Sequence, residues 1–319
     1  MQSISLFEGK MLPTPIVKLS GNYSDNQIYV KRDDTIPFSF GGNKARKAAE
    51  FYKEIKNSGA SVVMTYGTNS SNHCRIIANL ATSMGLKCHI ITPEENREIL
   101  YNTKMVTDFG AIIETCPVTE VAKTIENRKE AYRKEGENPY FILGGGHGNP
   151  GTHSYVLCYE EILKQEKELG VHFDYIVHAS GTGATQAGLV CGQLMGKSME
   201  AMERSIIGIS IAREESRGRE VVKESILEYL TEKLGSVETY DDNKLIFTDK
   251  YRLGGYGNYS EEIVKTIETV MRREGMPMDT TYVGKAFQGM LQYLRDKEIQ
   301  KKNILFIHTG GTPLFFDKL

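Results

Sequence analysis

The sequence predicts an α/β protein in which parallel sheets are flanked by helices, and three observations support this prediction. Short runs of β-prone apolar residues alternate with longer helical patterns from Ser61 onward. Loops rich in glycine and small polar residues follow several of these runs. The chain has 319 residues, which is enough for one large domain or two ordinary ones. Alternation of this kind is typical of parallel strands connected by helices.

The elements can be justified in order along the chain. Apolar runs of four to six residues fit buried strands, whereas longer segments with interspersed charges fit helices. Strands are predicted at 61–66, 87–92, 111–115, 140–143, 175–178, 206–210 and 303–307. Helices are predicted at 45–56, 73–84, in the segment ending at 109, at 118–135 and from 184. Polar and glycine-rich loops follow strands at 67–72, 144–151, 180–183 and 308–312. Such folds bind ligands beyond the carboxyl ends of their strands, so these loops are the candidate site.

Composition excludes several classes of partner. The net charge is −2 and 25% of the residues are charged, which favours neither nucleic acid nor a membrane surface. The N-terminus lacks the pattern of a signal peptide. The five cysteines are scattered and form no Cys-x-x-Cys pair, so neither a disulfide framework nor a metal site is expected. The chain is therefore predicted to be cytoplasmic.

Lys44 is the most informative single residue. It follows Gly41, Gly42 and Asn43 and stands at the start of a predicted helix. A lysine reached through a Gly-Gly bend can project its amine into a cleft, where a lowered pKa makes it a nucleophile or base. A solvated surface lysine is the ordinary alternative. Lys47 lies one turn further on the same helix face, where it either supplies charge to a bound phosphate or is an exposed helix residue.

The loop at 180–188 predicts a phosphate site. It follows a strand and opens a helix, and its small residues let backbone amides approach an anion. The run Ser180-Gly181-Thr182-Gly183-Ala184-Thr185 provides these small residues. A dinucleotide fingerprint is disfavoured because its third glycine is displaced to 188 and the next strand ends without an acidic residue. A purely structural turn remains open. A reactive lysine together with a phosphate cup suggests a pyridoxal phosphate (PLP) enzyme.

A second polar loop, at 67–73, has the same placement between a strand and a helix. Ser70, Ser71, Asn72 and His73 form a polar cluster that suits the carboxylate of an amino-acid substrate. Serine and asparagine are also ordinary helix N-caps. Capping explains one of these residues but not the whole cluster.

Several ordered motifs carry a resemblance to a known family. These motifs are Gly41-Gly42-Asn43-Lys44-x-Arg46-Lys47, Ser71-Asn72-x-x-Arg75, Gly183-x-Thr185-Gln186-Ala187-Gly188, Tyr256-Gly257, Tyr282-x-Gly284-Lys285 and His308-Thr309-Gly310-Gly311-x-Pro313. They are spread over nearly the whole chain. The sequence resembles the fold-type II PLP enzymes (the tryptophan synthase β-like superfamily), and within them the 1-aminocyclopropane-1-carboxylate (ACC) deaminase / D-cysteine desulfhydrase family.

The resemblance implies a role for each candidate residue. Lys44 would form the Schiff base with PLP and move the Cα proton, and Asn72 would bond the ring oxygen of the cofactor. Gly181, Thr182, Gly183, Ala184 and Thr185 would bind the phosphate of the cofactor. Ser71 and its neighbours would hold the substrate carboxylate. Tyr256 and Tyr282 would face the substrate, whereas packing in the core or at an interface is the alternative for either tyrosine. The resemblance also implies a homodimer.

Two positions bear on the substrate. The family's ACC deaminases look like Tyr-Glu-Gly-Lys and His-Leu-Gly-Gly, whereas its desulfhydrases resemble Tyr-Thr-Gly-Lys and His-Thr-Gly-Gly. Here Thr309 matches the desulfhydrases and Val283 matches neither group. The hydroxyl of Thr309 beside the pyridine nitrogen would leave it largely unprotonated. Such a weaker electron sink suffices for elimination and disfavours the opening of a cyclopropane ring.

The sequence thus predicts a lyase that catalyses α,β-elimination from a small β-substituted amino acid, giving a 2-oxo acid and ammonia. In this prediction Lys44 or an assisted Ser71 removes the Cα proton, and Tyr282 or Tyr256 assists the departure of the β-group. The alternatives are β-replacement by the same chemistry, ACC deamination, and a non-catalytic protein that binds PLP or an amino acid. The large domain is predicted at 1–46 and 158–319, and a smaller inserted domain at 47–157, with the site between them.

Overall fold

The structure is a computed structural model that describes residues 11–68, 70–94, 99–196, 204–235 and 240–317. It has the predicted α/β architecture, with two sheets and helices packed against them. None of the helices in these ranges is long and apolar enough to cross a membrane.

The larger sheet has six strands in the order β1-β2-β10-β7-β8-β9. Its strands are β1 (Ile16–Lys18), β2 (Gln27–Lys31), β7 (Tyr175–Ser180), β8 (Ser205–Ser210), β9 (Ile246–Thr248) and β10 (Asn303–Ile307). All neighbours are parallel except β1 and β2. The central strands β7, β8 and β10 are buried over almost their whole length, because helices cover both faces.

The smaller sheet has four parallel strands in the order β5-β4-β3-β6. They are β3 (Val62–Tyr66), β4 (Lys87–Pro93), β5 (Ile112–Cys116) and β6 (Pro139–Ile142). Strands β3 and β4 are buried, whereas the edge strand β5 is largely exposed. The carboxylate of Glu114 on β5 forms an ion pair with Arg128 of the helix that follows.

Ten α-helices lie in the described ranges. They are α1 (Asn43–Ser58), α2 (Asn72–Ser83), α3 (Tyr101–Asp108), α4 (Val121–Lys134), α5 (Asn149–Leu169), α6 (Ala184–Met195), α7 (Glu215–Leu234), α8 (Glu261–Glu274), α9 (Val283–Asp296) and α10 (Thr312–Phe316). Helices α1 to α4 pack against the smaller sheet or against one another beside it. Apolar side chains fill separate core clusters against the two sheets.

A buried ionic network fixes helix α1. The guanidinium of Arg46 lies 2.7 Å from the carboxylate of Asp33 and 2.7 Å from that of Glu161 on α5. Burial alone would raise the pKa of Asp33, but Arg46 outweighs this effect and holds the pKa below its ordinary value. Tyr155 on α5 donates to the same carboxylate at 2.7 Å. Because Arg46 follows Lys44 by two residues, the network fixes the helix turn that carries the candidate lysine.

The predicted strands match the observed ones to within one or two residues, and β10 begins and ends at the predicted residues. The predicted segment 118–135 begins with a 3₁₀ turn before α4 starts at Val121. Residues 95–98 of the helical segment predicted before 109 lie outside the described residues. Helices α1 and α5 run through the predicted domain boundaries at 46/47 and 157/158, so the exact division into domains stays a prediction.

Candidate active site

Lys44 lies in the first turn of α1, after a run of unusual backbone conformations. Ser39, Phe40, Gly41 and Gly42 all have positive φ angles, of 45°, 61°, 64° and 93°. A Cβ on Gly42 would lie 2.6 Å from the carbonyl oxygen of Thr309. Glycine at 42 is therefore required both by the backbone conformation and by the approach of a second loop.

The loop after β10 meets the Lys44 segment through the backbone. The N–H of Asn43 donates to the carbonyl of Thr309 at 3.0 Å. The side-chain amide of Asn43 also donates to Thr185 Oγ1 at 3.3 Å, which brings in the start of α6. Two of the predicted loops thus meet the segment that carries Lys44.

The amine of Lys44 lies in an environment that disfavours its charge. Part of its side chain stays accessible, yet burial lowers its pKa to about 8. Lys47 is buried, and desolvation together with the charge of Lys44 holds its pKa well below the ordinary value. Lys47 Nζ donates to the carbonyl of Gly145 at 3.3 Å. Lys47 is therefore no exposed helix residue, and its contribution to a phosphate site stays a prediction.

The predicted phosphate loop leads into a helix whose first backbone amides have no side-chain cap. Helix α6 begins after Gly183, whose φ is 97°, and no side chain caps its first amides. The carbonyl of Gly181 accepts from Arg213 Nε at 2.9 Å, and the carbonyl of Thr182 accepts from His147 Nδ1 at 3.0 Å. Arg213 and His147 thus bind the carbonyl groups of the loop. The uncapped amides of α6 remain available to a phosphate.

The polar cluster before α2 divides into two parts. Ser71 caps α2, because its Oγ accepts from the backbone N–H groups of His73 and Cys74 at 3.1 and 3.3 Å. The hydroxyl hydrogen of Ser71 is thereby left to donate elsewhere. The His73 ring is buried and bonds Thr65 Oγ1 at 2.7 Å. Burial, followed by the charges of nearby lysines, lowers the pKa of His73, so its ring is neutral.

Since Thr65 donates its own hydrogen to the carbonyl of Ile142 at 2.8 Å, His73 is the donor to Thr65. Ser70 bonds Thr68 through its hydroxyl at 3.4 Å, and its carbonyl accepts from Asn102. Asn69 of the same loop lies outside the described residues. Contact of Ser70, Ser71 or His73 with a substrate stays a prediction.

Tyr256 and Tyr282 form a pair. Their phenolic oxygens are 2.6 Å apart and their rings meet edge to face at 5.8 Å. Burial is the largest cause of the strongly raised pKa of Tyr282, and the neighbouring Tyr256 raises it further. Its phenol is therefore protonated at neutral pH.

Thr309 is buried, and His308 fixes the loop that carries it. His308 Nε2 donates to the carbonyl of Pro277 at 2.7 Å and its Nδ1 accepts from the N–H of Gly310 at 3.3 Å. Val283 is fully buried in the core of the larger sheet. Its N–H donates to Asp279, a buried carboxylate whose pKa is raised to about 6, mainly by burial.

Sequence reasoning missed four side chains that organise these loops. They are Arg75, Asn102, Arg213 and Lys285. Arg75 and Lys285 stand in the quoted motifs, which was the available signal, but a motif does not reveal the partner of a side chain. Asn102 and Arg213 come from segments without any motif, so only the tertiary structure identifies them.

The fold and this donor set define a class of enzyme. PLP requires a lysine amine, anion-binding amides for its phosphate and polar groups around its ring, and the loops around Lys44 offer groups of these kinds. The family of pyridoxal-phosphate dependent enzymes matches residues 8–310 of the chain. The chain belongs to this family, and it has the fold-type II architecture.

Named relatives support the same assignment. A D-cysteine desulfhydrase of Serratia proteamaculans is 32% identical over 323 residues, covering 95% of this chain and 92% of that protein. One from Yersinia enterocolitica is 34% identical over 319 residues, with the same coverage of 95% and 92%. A solved structure described as an ACC deaminase homologue is 31% identical, has a TM-score of 0.85, and covers 100% of this chain and 98% of that one.

Proposed function

We propose that this enzyme is a lyase that catalyses α,β-elimination from a small β-substituted amino acid, in the manner of a D-cysteine desulfhydrase. The products are the free β-substituent, a 2-oxo acid and ammonia. The observation that carries the proposal is the placement of Lys44. Its pKa is lowered, and it directly follows Asn43, whose hydrogen bonds bring the loops of Thr309 and Thr185 together. The desulfhydrases named above support the substrate class.

The residues divide the binding tasks between them. When PLP is bound, the amides that open α6 would hold its phosphate, together with Thr182 and Thr185. Asn72 would donate to its ring oxygen, and the hydroxyl of Thr309 would serve its ring nitrogen. Ser71 has a hydroxyl hydrogen that its capping bonds do not use, and it donates this hydrogen to the substrate carboxylate. Bound PLP supplies an electron sink for the pair left at Cα.

Two proton transfers belong to this chain. Lys44 removes the proton from Cα, a task for which an amine with a pKa of about 8 is well matched. The phenol of Tyr282 keeps its proton because burial raises its pKa, and it gives that proton to the departing β-substituent. Tyr256 is in hydrogen-bond contact with Tyr282 and can replace the proton from solvent.

The environment at positions 283 and 309 favours elimination over ACC deamination. Position 283 is a buried valine and position 309 a buried threonine, so neither residue supplies a carboxylate that would keep the ring nitrogen protonated. A weaker electron sink suffices when the β-substituent takes the electrons at once. Opening a cyclopropane ring has no such leaving group.

The test is an assay of the purified, PLP-loaded enzyme with D-cysteine, L-cysteine, β-chloro-D-alanine and ACC. We expect sulfide, pyruvate and ammonia in equal amounts from D-cysteine, and no 2-oxo acid from ACC. Addition of a second thiol separates elimination from β-replacement, because replacement would convert the substrate into a new amino acid at the expense of pyruvate. Release of 2-oxobutyrate from ACC, or absence of pyruvate from every β-substituted substrate, would overturn the proposal.

We also propose a cytoplasmic homodimer with two domains. All five cysteines are free and buried, which suits a reducing compartment. An apolar groove between α8 and α10 contains the exposed side chain of Met271 beside Leu314 and Phe315, and a second copy would cover it. Light scattering tests the dimer, and a Met271→Glu variant should shift it toward the monomer.

A further inference from the structure

Arg75 is a fully buried cation without a counter-charge. Its side chain is 0% exposed in α2, and within the described residues no carboxylate pairs with it. Burial lowers its pKa to about 9. Its Nη1 donates to Asn72 Oδ1 at 2.5 Å and to Asn102 Oδ1 at 2.6 Å, and its Nε donates to the carbonyl of Ser39 at 3.0 Å. A buried charge of this kind is costly, so a role for its hydrogen bonds is expected.

The bonds of Arg75 determine the orientation of two side-chain amides. A guanidinium can only donate, so the atoms of Asn72 and Asn102 that face it must be oxygens. The NH₂ group of Asn102 then faces the other way, where it donates to the carbonyl of Ser70 at 2.7 Å and to Asn72 Oδ1 at 3.0 Å. The oxygen of Asn72 therefore accepts from two donors, and its NH₂ group lies on the opposite edge.

We propose that Arg75 and Asn102 are positioning residues that fix the amide of Asn72 as a hydrogen-bond donor to the ring oxygen of PLP. The inference builds on the role proposed above for Asn72. With the amide reversed, an oxygen would face the ring oxygen, and two acceptors would repel each other. Arg75 also holds the carbonyl of Ser39, which begins the positive-φ run before Lys44. The side chain of Arg75 thereby fixes the position of Asn72 relative to the segment that carries Lys44.

Direct binding of the substrate carboxylate by Arg75 is the competing interpretation. Its remaining nitrogen, Nη2, is buried and has no partner within the described residues. An atom without solvent access cannot meet a substrate that enters and leaves with each turnover. The bonds to Asn72 and Asn102, in contrast, are already formed.

The experiment compares Asn72→Ala, Asn102→Leu, Arg75→Met, Arg75→Lys and the double variant Asn72→Ala/Asn102→Leu. Two quantities are measured without substrate: the dissociation constant of PLP from the apoenzyme, and the pH midpoint of the visible absorbance of the bound cofactor. A donor stabilises the deprotonated ring oxygen, so its loss raises that midpoint. Asn79→Ala, on the same helix and outside the network, is the matched control.

We expect Asn72→Ala to weaken PLP binding about tenfold and to raise the midpoint by about one unit. Asn102→Leu and Arg75→Met should reproduce most of both effects, and Arg75→Lys should fall between them and the parent because lysine lacks the planar fork. The double variant should be no worse than Asn72→Ala alone, since both changes remove the same bond.

Unchanged midpoints in folded Asn102→Leu and Arg75→Lys, or additive effects in the double variant, would overturn the proposal. Should Arg75→Met not fold, those two variants still decide it. If Asn72→Ala itself leaves the midpoint unchanged, the role of Asn72 is wrong and the inference fails with it. The elimination proposal is tested separately, because it depends on sulfide and pyruvate release.

Discussion

The phenolic oxygens of Tyr256 and Tyr282 lie 2.6 Å apart, although the two residues belong to different segments of the chain. Tyr256 lies in the loop after β9 and is 42% exposed, whereas Tyr282 immediately precedes α9 and is partly buried. The pair therefore connects an exposed hydroxyl with a partly buried one, and in the proposed reaction it would link solvent with the substrate. Such a connection suits the transfer of a proton to a leaving group and its replacement from water.

Removal of either hydroxyl tests this relationship. Tyr282→Phe should lower kcat for elimination by ~10²–10⁴-fold, the usual contribution of general acid catalysis. Tyr256→Phe should have a smaller effect, and the double variant should be close to Tyr282→Phe alone because the two hydroxyls act in series. Steady-state kinetics with D-cysteine provide the measurement. Tyr293→Phe on α9 is the control, and fully additive losses in the double variant would contradict a shared proton path.

The lowered pKa of Lys44 predicts how cofactor attachment depends on pH. Only the neutral amine attacks the PLP aldehyde, and the neutral fraction grows as pH rises through the pKa. The attachment rate to the apoenzyme should therefore increase with pH and level off above about 8, whereas an ordinary lysine would level off only above about 10.4. Stopped-flow absorbance measures this rate. A rate that keeps rising beyond pH 9.5 would show that the amine is solvated, with roughly the reference pKa.

Much of the fold followed from the sequence because its central strands are buried on both faces. The run at 303–307 could only be a short strand, and the structure has it there. Strands β1, β2 and β9 were not predicted. Two of them have only three residues each, and β2 carries lysine and glutamine that break the apolar signal. Tertiary pairing with β10 and β8 stabilises β2 and β9.

For the site, the sequence indicated which loops meet but not how their side chains are bonded. Lys44, Thr185 and Thr309 were predicted from motifs, and hydrogen bonds of the Lys44 segment do bring their loops together. The buried state of Lys47 and the bond from His73 to Thr65 depend on neighbours distant in sequence. A helical or loop pattern in the sequence carries no information on such partners. It therefore could not predict that the polar side chains of Lys47 and His73 are buried.

Gly42 and Gly59 provide a matched test of the contact between the Lys44 loop and the loop after β10. Both have positive φ, 93° and 66°, but a Cβ on Gly59 meets nothing within 4 Å, whereas one on Gly42 would lie 2.6 Å from Thr309 O. Gly59→Ala should lower the free energy of unfolding by about 1–2 kcal/mol through backbone strain alone. Gly42→Ala should cost more and also weaken PLP binding. Urea unfolding and cofactor titration measure the two effects, and equal losses in both variants would show that the loop contact is unimportant.

Lys285 holds the loop that carries Tyr256. Its buried ammonium donates to the carbonyls of Gly255, Arg252 and Ile211 at 2.8, 3.1 and 3.4 Å, so three acceptors match its three hydrogens. The backbone on either side of Tyr256 has positive φ at both Gly255 and Gly257. This segment lacks regular secondary structure, and the ammonium of Lys285 takes the place of a regular hydrogen-bond ladder.

Lys285→Met keeps the length of the side chain and removes all three donors, so the loop should loosen while the helix remains. We expect kcat to fall by at most ~10²-fold, the order of loss that a small misplacement of a catalytic group produces, and by no more than in Tyr256→Phe, with PLP binding unchanged. The loss should largely disappear when Tyr256 is already phenylalanine, because the loop then has no hydroxyl to position. Lys297→Met, at the exposed end of the same helix, controls for loss of a positive charge. An equal loss of activity in the Tyr256→Phe background would mean that Lys285 acts on another part of the site.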